Sequence, residues 1–405
     1  MADQRTPANP QRGFRSTSRS FPTNGRPTNA RQPAARVSFH QPFVSNEWRN
    51  KRLNNPMPQS NSSFTTIYGR NLLAEFQHFV HQPCLVVTME DLWDKFSPHF
   101  TADWFHIHFV TTLDSEELQP QLARLPEVNS VIGLGGGQAL DIAKYVAWKR
   151  RLPLFQAPTA MTVNAAFGHR AAIRFDGNVR YVGWVVPEAV YVDYDVVAGA
   201  PLALNRSGVC DILCYHTAHG DWKLAHERGK TERKWPYDAG LVAEAQEVFQ
   251  SVLTQIDEIA SVTDQGIRTL MDAHCWGGAA FHNAGWNPRH IEGVEHFIFY
   301  ALEYNTRKHF IHGQPVCLGI YIGSAMQDNR ADEMLATIHR AGVDIRPEAM
   351  GVTWEDVATA LRGLSQFVTQ AGLWYTIANE FVVTDAFIEH VRRRIEETYG
   401  AWHPQ

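Results

Sequence analysis

The stretch that decides the fold is VNSVIGLGGGQALDIAKYVAWKRRLPLFQAPTA, from Val128 to Ala160. Its apolar run Val131, Ile132 and Leu134 reads as a buried strand that ends in Gly135, Gly136 and Gly137. QALDIAKYVAWKR then has helical spacing, and PLFQAPTA returns to a strand. Three residues without side chains let the backbone come within hydrogen-bonding reach of a phosphate. The helix N-terminus beyond them offers unpaired N–H groups and a partial positive charge. The same glycines also serve a tight strand–helix connection for steric reasons alone, and the run is neither G-x-G-x-x-G nor a Walker A loop. Asp141 follows one turn into the helix, with Lys144 three positions later.

Outward from this segment, helical and strand patterns alternate. RNLLAEFQHFV reads as helix, CLVVTM as strand, DLWDKFSPHF as helix, WFHIHFVTT as strand and DSEELQPQLARL as helix. Short connections between such units predict parallel strands covered by helices on both faces. VRYVGWVVPEAVYVDYDVVAGAP reads as further extended segments with a turn at Pro187. Past Pro201 almost every segment is helical in period, as in DAGLVAEAQEVFQSVLTQIDEIA. The expected organisation is therefore a tail over residues 1–60, an α/β nucleotide-binding domain over 61–200 and an all-helical domain over 201–405.

The tail holds nine Arg and one Lys against Asp3 and Glu47, which leaves an acidic body beneath the net charge of −5. Such a body does not read as a nucleic-acid binder. The tail is poor in large apolar residues and is expected to be disordered. Its Arg- and Ser-rich make-up fits either a solvated tail or an organelle transit segment. No apolar run approaches a membrane span of roughly 18–20 residues. Five cysteines without a C-x-x-C pair predict reduced thiols and a cytoplasmic home.

GLGGGQALDIAK resembles the G-G-G-x-x-x-D-x-A-K signature of the superfamily of iron-dependent alcohol dehydrogenases, glycerol-1-phosphate dehydrogenases and 3-dehydroquinate synthases. By that resemblance Gly135, Gly136, Gly137 and Gln138 carry the pyrophosphate of NAD or NADP, with Asp141 and Lys144 at the cofactor side of a cleft. APTAMT resembles the family's P-T-x-x-[ST] turn and adds Thr159 and Thr162. SGVCDILCYHTAHGDWKLA resembles the G-x-G-D run of the glycerol-1-phosphate dehydrogenase branch. EGVEHFIFYALE resembles G-S-E-H, and FIHGQPVCLGIYIGS resembles L-H-G-E-x-V-x-x-G. GLWYTIANEFVVTDAF resembles that branch's R-x-T-I-x-N-E segment.

The resemblance implies a dehydroquinate synthase-like fold and one divalent metal on Asp211, His296 and His312, which are also its catalytic residues. One carboxylate and two imidazoles suit zinc or iron and leave positions open. The implied reaction is hydride transfer between NAD(P) and a small phosphorylated or polyol-type ketone, a small-molecule substrate. The departures fall where substrate is chosen. Asn164 stands where most relatives have Asp, and Arg170 stands at a Lys of the cyclase pattern. His216 replaces the residue before T-A, and Tyr300 replaces a second His. Asn164, Arg170 and His216 are therefore the candidate substrate residues. A sugar-phosphate cyclase that uses NAD transiently, or a catalytically inactive homologue, are the other readings. A homodimer is the assembly that helical surfaces of this kind suggest.

Overall fold

The computed structural model describes residues 64–175, 178–400 and 402; the tail over residues 1–60, with its expected disorder, lies outside them. Eight strands are present among the described residues: β1 (Thr66–Gly69), β2 (Cys84–Thr88), β3 (Phe105–Phe109), β4 (Ser130–Gly135), β5 (Leu154–Pro158), β6 (Ala171–Phe175), β7 (Asn178–Val182) and β8 (Ala189–Asp193). Six of them form one sheet in the order β1-β8-β5-β4-β2-β3, every neighbouring pair parallel. β6 and β7 form a separate antiparallel hairpin.

Both faces of the sheet are covered, and alternation along β2 and β4 shows how. Leu85, Val87 and Val131 pack with Ile142, Ala143 and Val146 of the helix Gly137–Arg150. Cys84, Val86, Ile132 and Leu134 point the other way, onto Phe76, Phe96 and Phe100. Successive side chains leave a strand on opposite faces, so a strand buried on both sides must be apolar throughout. The chain leaves β2 toward β3 and leaves β4 toward β5, in opposite directions along the sheet. A crevice opens at the carboxyl ends of two such adjacent strands, the usual ligand position in an open α/β sheet. The glycine turn lies there.

Two expectations change. RNLLAEFQHFV is a 3-10 turn, Leu72–Glu75, running into a single helical turn, Phe76–Phe79. Within the segment expected to be extended after Val179, Tyr194–Ala198 is helical, because the Asp193 side chain accepts from the N–H groups of Asp195 and Val196 and caps it. β1 was not visible as a strand. It is a short edge strand with little burial, which leaves no periodic signal.

After Asp193 every described regular element is helical. Val294–Thr306 packs against Gly313–Met326 and Trp354–Ala371, and one apolar core runs through these helices. No helix among the described residues is long and apolar enough to cross a membrane.

Candidate active site

The turn after β4 is built so that main chain, not side chain, faces outward. Gly135 has φ +152°, and a Cβ there would also meet Ala139 Cβ at 2.8 Å, so glycine is required. A Cβ on Gly136 would meet nothing within 4 Å, which marks open space in front of the turn. Gly136 is the N-cap of the helix Gly137–Arg150, with no side-chain cap and no acidic residue in the first turn. Its N–H groups are thus left for an anion. Gly137 and Gln138 border a cleft of about 710 Å³. Thr159 is buried behind the turn, its N–H donating to Gly135 O at 3.1 Å, and neither Thr159 nor Thr162 borders the cleft.

The opposite wall carries the proposed metal residues. Asp211 lies in the short helix Cys210–Leu213, His296 in Val294–Thr306, and His312 is the N-cap of Gly313–Met326. All three border the same cleft. His312 Nε2 lies 3.3 Å from Asp211 Oδ1, and the His296 and His312 ring centroids are 5.5 Å apart. Two donors holding one cation tetrahedrally at roughly 2.0–2.1 Å stand about 3.3 Å apart, so the Asp211–His312 spacing fits a shared ion. Among the described residues, donor atoms within 4.8 Å of one another form two groups, Cys210 with Asp211 and His312, and Cys214 with Glu295 and His296. His296 falls in the second group, its Nδ1 turned to Glu295, with its ring centroid 5.5 Å from that of His312.

That carboxylate explains the second half of the EH pair. Glu295 is fully buried and accepts from Gly293 N–H at 2.6 Å, Thr217 Oγ1 at 2.6 Å and His296 Nδ1 at 2.9 Å. Holding the proton on Nδ1 presents Nε2 as the free ligand atom. Burial works against a charged imidazole here. The hydrogen bond to Glu295 and the charges of Glu292, Glu295 and Asp211 outweigh it, pushing His296 up to about 9. Burial would likewise raise the Asp211 acid. The hydrogen bond and charge of His312, with His274 and His296, hold it well below the usual carboxylate range.

Gly208 brings the two walls together. A Cβ there would sit 1.6 Å from Met161 O, so only glycine allows the helical wall to touch the loop after β5. In consequence Asn164 N–H donates to Asp211 Oδ2 at 3.0 Å, which fixes the second carboxylate oxygen.

Asp141 and Lys144 border the cleft, and Lys144 is also tied into the protein. Its ammonium lies 2.7 Å from Asp141 Oδ1 and donates to Ala165 O at 2.9 Å and Arg170 O at 2.8 Å. Three donors are spent on three protein acceptors, so the side chain pins the loop 165–170 and has none left for a phosphate. Asp141 is the buried partner of that pin; burial raises its acid, which Lys144 and the Ala172 backbone oppose only in part. Arg170 also reaches the cleft. Its guanidinium lies 4.8 Å from the Trp286 ring centroid and donates through Nε to Gly183 O at 3.3 Å. His216 does not reach it: its ring bonds to Asn329 O at 2.9 Å and stacks on Phe249, away from the cleft.

Among the lining residues not predicted from sequence are Trp286, His169 and Glu292. Trp286 lies in a turn where both it and Gly285 have positive φ, and only the G-W-N run hints at it. His169 is buried against His282, ring centroids 4.2 Å apart. Glu292 sits inside EGVEH, where the neighbouring EH pair drew the attention.

The fold is shared with solved structures of differing activity. It superposes on glycerol dehydrogenase from Schizosaccharomyces pombe with a TM-score of 0.63 at 17% identity, covering 86% of this chain and 95% of that one. It also superposes on the 2-epi-5-epi-valiolone synthase ValA from Streptomyces hygroscopicus, solved with NAD+ and Zn2+ bound, with a TM-score of 0.56 at 16% identity over 85% and 99% of the two chains. Residues 88–201 match the family model described as iron-containing alcohol dehydrogenase. A glycerol-1-phosphate dehydrogenase (NAD(P)+) from Thermofilum pendens is 32% identical over 261 residues, 64% of this chain and 74% of its own length. Its counterpart from Thermoplasma acidophilum is 31% identical over 232 residues, 57% and 64% of the two. The chain belongs to the glycerol-1-phosphate dehydrogenase branch of the iron-containing alcohol dehydrogenase family.

Proposed function

We propose that this chain is a divalent-metal-dependent, NAD(P)-linked dehydrogenase that interconverts dihydroxyacetone phosphate and glycerol 1-phosphate. The observation that carries the reading is a single cleft bordered by Gly137 and Gln138 on one wall and by Asp211, His296 and His312 on the other. In this reading residues 61–200 carry the cofactor and 201–405 the metal, with the substrate between them.

A divalent cation supplies Lewis acidity at a carbonyl oxygen, and a reduced nicotinamide supplies the hydride. The residues of the chain hold and orient. Asp211, His296 and His312 take the cation, and Glu295 keeps the His296 proton on Nδ1. The open turn at Gly136 and the uncapped helix behind it take the pyrophosphate. Arg170, stacked on Trp286, takes an anionic group of the substrate, such as a phosphate. Asn164 offers no carboxylate to the substrate; its backbone steadies Asp211. Zinc and iron both suit the donor set, and the protein's choice is read from metal analysis.

The test is turnover of metal-reconstituted protein with dihydroxyacetone phosphate and NADH or NADPH. Stoichiometric loss of reduced cofactor supports the reading. Phosphate release without net loss indicates the cyclase chemistry instead. Failure to bind metal and cofactor indicates an inactive homologue.

A further inference from the structure

Glu292 borders the cleft together with Asp211, His296 and His312, four residues before His296. Its main chain is held on both sides: the N–H donates to Pro288 O at 2.8 Å, and the carbonyl accepts from the Trp374 indole at 3.3 Å. The side chain therefore leaves a fixed point of the backbone. The residue is nine-tenths buried, yet its Oε2 has no hydrogen-bond partner among the described residues. Tyr300 bonds to the carboxylate, but a phenol neutralises no charge. Burial, joined by the negative charges of Glu295 and Asp211 and opposed by His296, pushes the Glu292 acid up to about 7.

A buried carboxylate oxygen with no partner is costly, by about 1–3 kcal/mol or more when charged. It is costlier beside two further carboxylates. Such an atom, on a residue that borders the same cleft as Asp211, His296 and His312 and interacts electrostatically with His296 and Asp211, would be satisfied by a cation.

We propose that Glu292 is an additional carboxylate ligand of the divalent cation held by Asp211, His296 and His312, its Oε2 completing a set of two carboxylates and two imidazoles. The proposal rests on the metal-dependent reading above. Two carboxylates balance the charge of a divalent ion, and four protein donors leave open positions when the ion is five- or six-coordinate, as iron and manganese prefer. Tyr300 orients the new ligand from behind, as Glu295 does for His296.

The test compares the full-length protein with its Glu292→Gln variant, both stripped with chelator. Each is titrated with Zn2+ in competition with a chromophoric chelator, then loaded with Co2+ for its visible absorption spectrum. Glu292→Gln is expected to weaken Zn2+ binding at least about tenfold and to shift the Co2+ bands. Removing a buried, unpaired charge should leave the metal-free melting temperature unchanged or higher, while the rise on adding metal shrinks. Glu292→Asp, which keeps a carboxylate on a shorter arm, should fall between the two. Affinity within about twofold of the unaltered chain, with the same Co2+ spectrum, overturns the proposal and leaves the three-ligand site standing. A lower metal-free melting temperature with the metal-induced rise intact also overturns it, since Glu292 is then structural. If the unaltered chain takes up no metal, both this proposal and the metal-dependent reading fall.

Discussion

The two walls of the cleft present charge by opposite means. At the end of β4 the chain offers main-chain N–H groups with no side chain in front of them, around an open Gly136. On the helical wall Asp211, His296 and His312 offer side-chain donors, each held in place by its surroundings: the Asn164 N–H for Asp211, the buried Glu295 for His296, and the start of a helix for His312. A backbone site depends on what is absent, so substituting into it fills space. A side-chain site depends on what is present and on what stands behind it, so substituting there leaves partners unpaired. The two walls should fail in different ways.

The largest effect belongs to the helical wall. Asp211→Asn removes the charge between His312 and the Asn164 N–H while keeping the shape. Metal content, read by elemental analysis, should fall, and kcat/KM should drop by about a thousandfold, the several kcal/mol a Lewis acid contributes. Retention of metal and of activity in this variant would break the assignment of the wall.

Lys144→Met tests whether a residue of the cofactor signature serves the fold. It strands the buried Asp141 carboxylate and frees the carbonyls of Ala165 and Arg170. Loss of one partner of a buried pair costs about 3–5 kcal/mol. Urea unfolding should show that loss, and the protein that remains folded should bind cofactor with nearly unaltered affinity. Unchanged stability with lost cofactor affinity would return Lys144 to the cofactor.

Gly136→Val is the sharpest test of the backbone wall. No protein atom lies within 4 Å of the new Cβ, so folding should be unaffected. The side chain enters the proposed cradle, and cofactor affinity should fall about ten- to a hundredfold, roughly 1.4–2.7 kcal/mol. Metal content should not change. Normal cofactor binding would move the pyrophosphate elsewhere.

The smallest effect is a pH dependence set by the helical half. Burial holds His219 down to about 4 and His290 down to about 3. The unfolded chain takes up protons at these positions near pH 6.5, while the folded chain stays neutral. Stability is therefore complete above that pH and falls as pH drops toward the folded values, by up to about 1.4 kcal/mol per pH unit per histidine. Glu292, raised to about 7, and His296, raised to about 9, act in the opposite sense, so the test is the variant: between pH 7.5 and 5.5 the urea midpoint of His219→Gln should fall less, or rise more, than that of the unaltered chain.

Sequence alone determined the alternation of parallel strands and helices and the glycine turn, and it named the three residues proposed here as metal donors, which border one cleft. These rest on local facts: strands buried on both faces must be apolar throughout, and a backbone close to an anion must lack side chains. It also marked Asn164 and Tyr300 as departures. Only the tertiary structure decided what each charged group touches. Lys144, at the edge of the cleft, is tied to Asp141 and the loop 165–170 by all three of its donors, and the ring of His216 is held by Asn329 and Phe249 away from the cleft. Glu292 was one acid among many until folding buried it with one oxygen unpaired, at the cleft that Asp211 also borders. Burial and pairing belong to residues far apart in the chain, such as Asn164 with Asp211 or Thr217 with Glu295, so no local pattern could announce them.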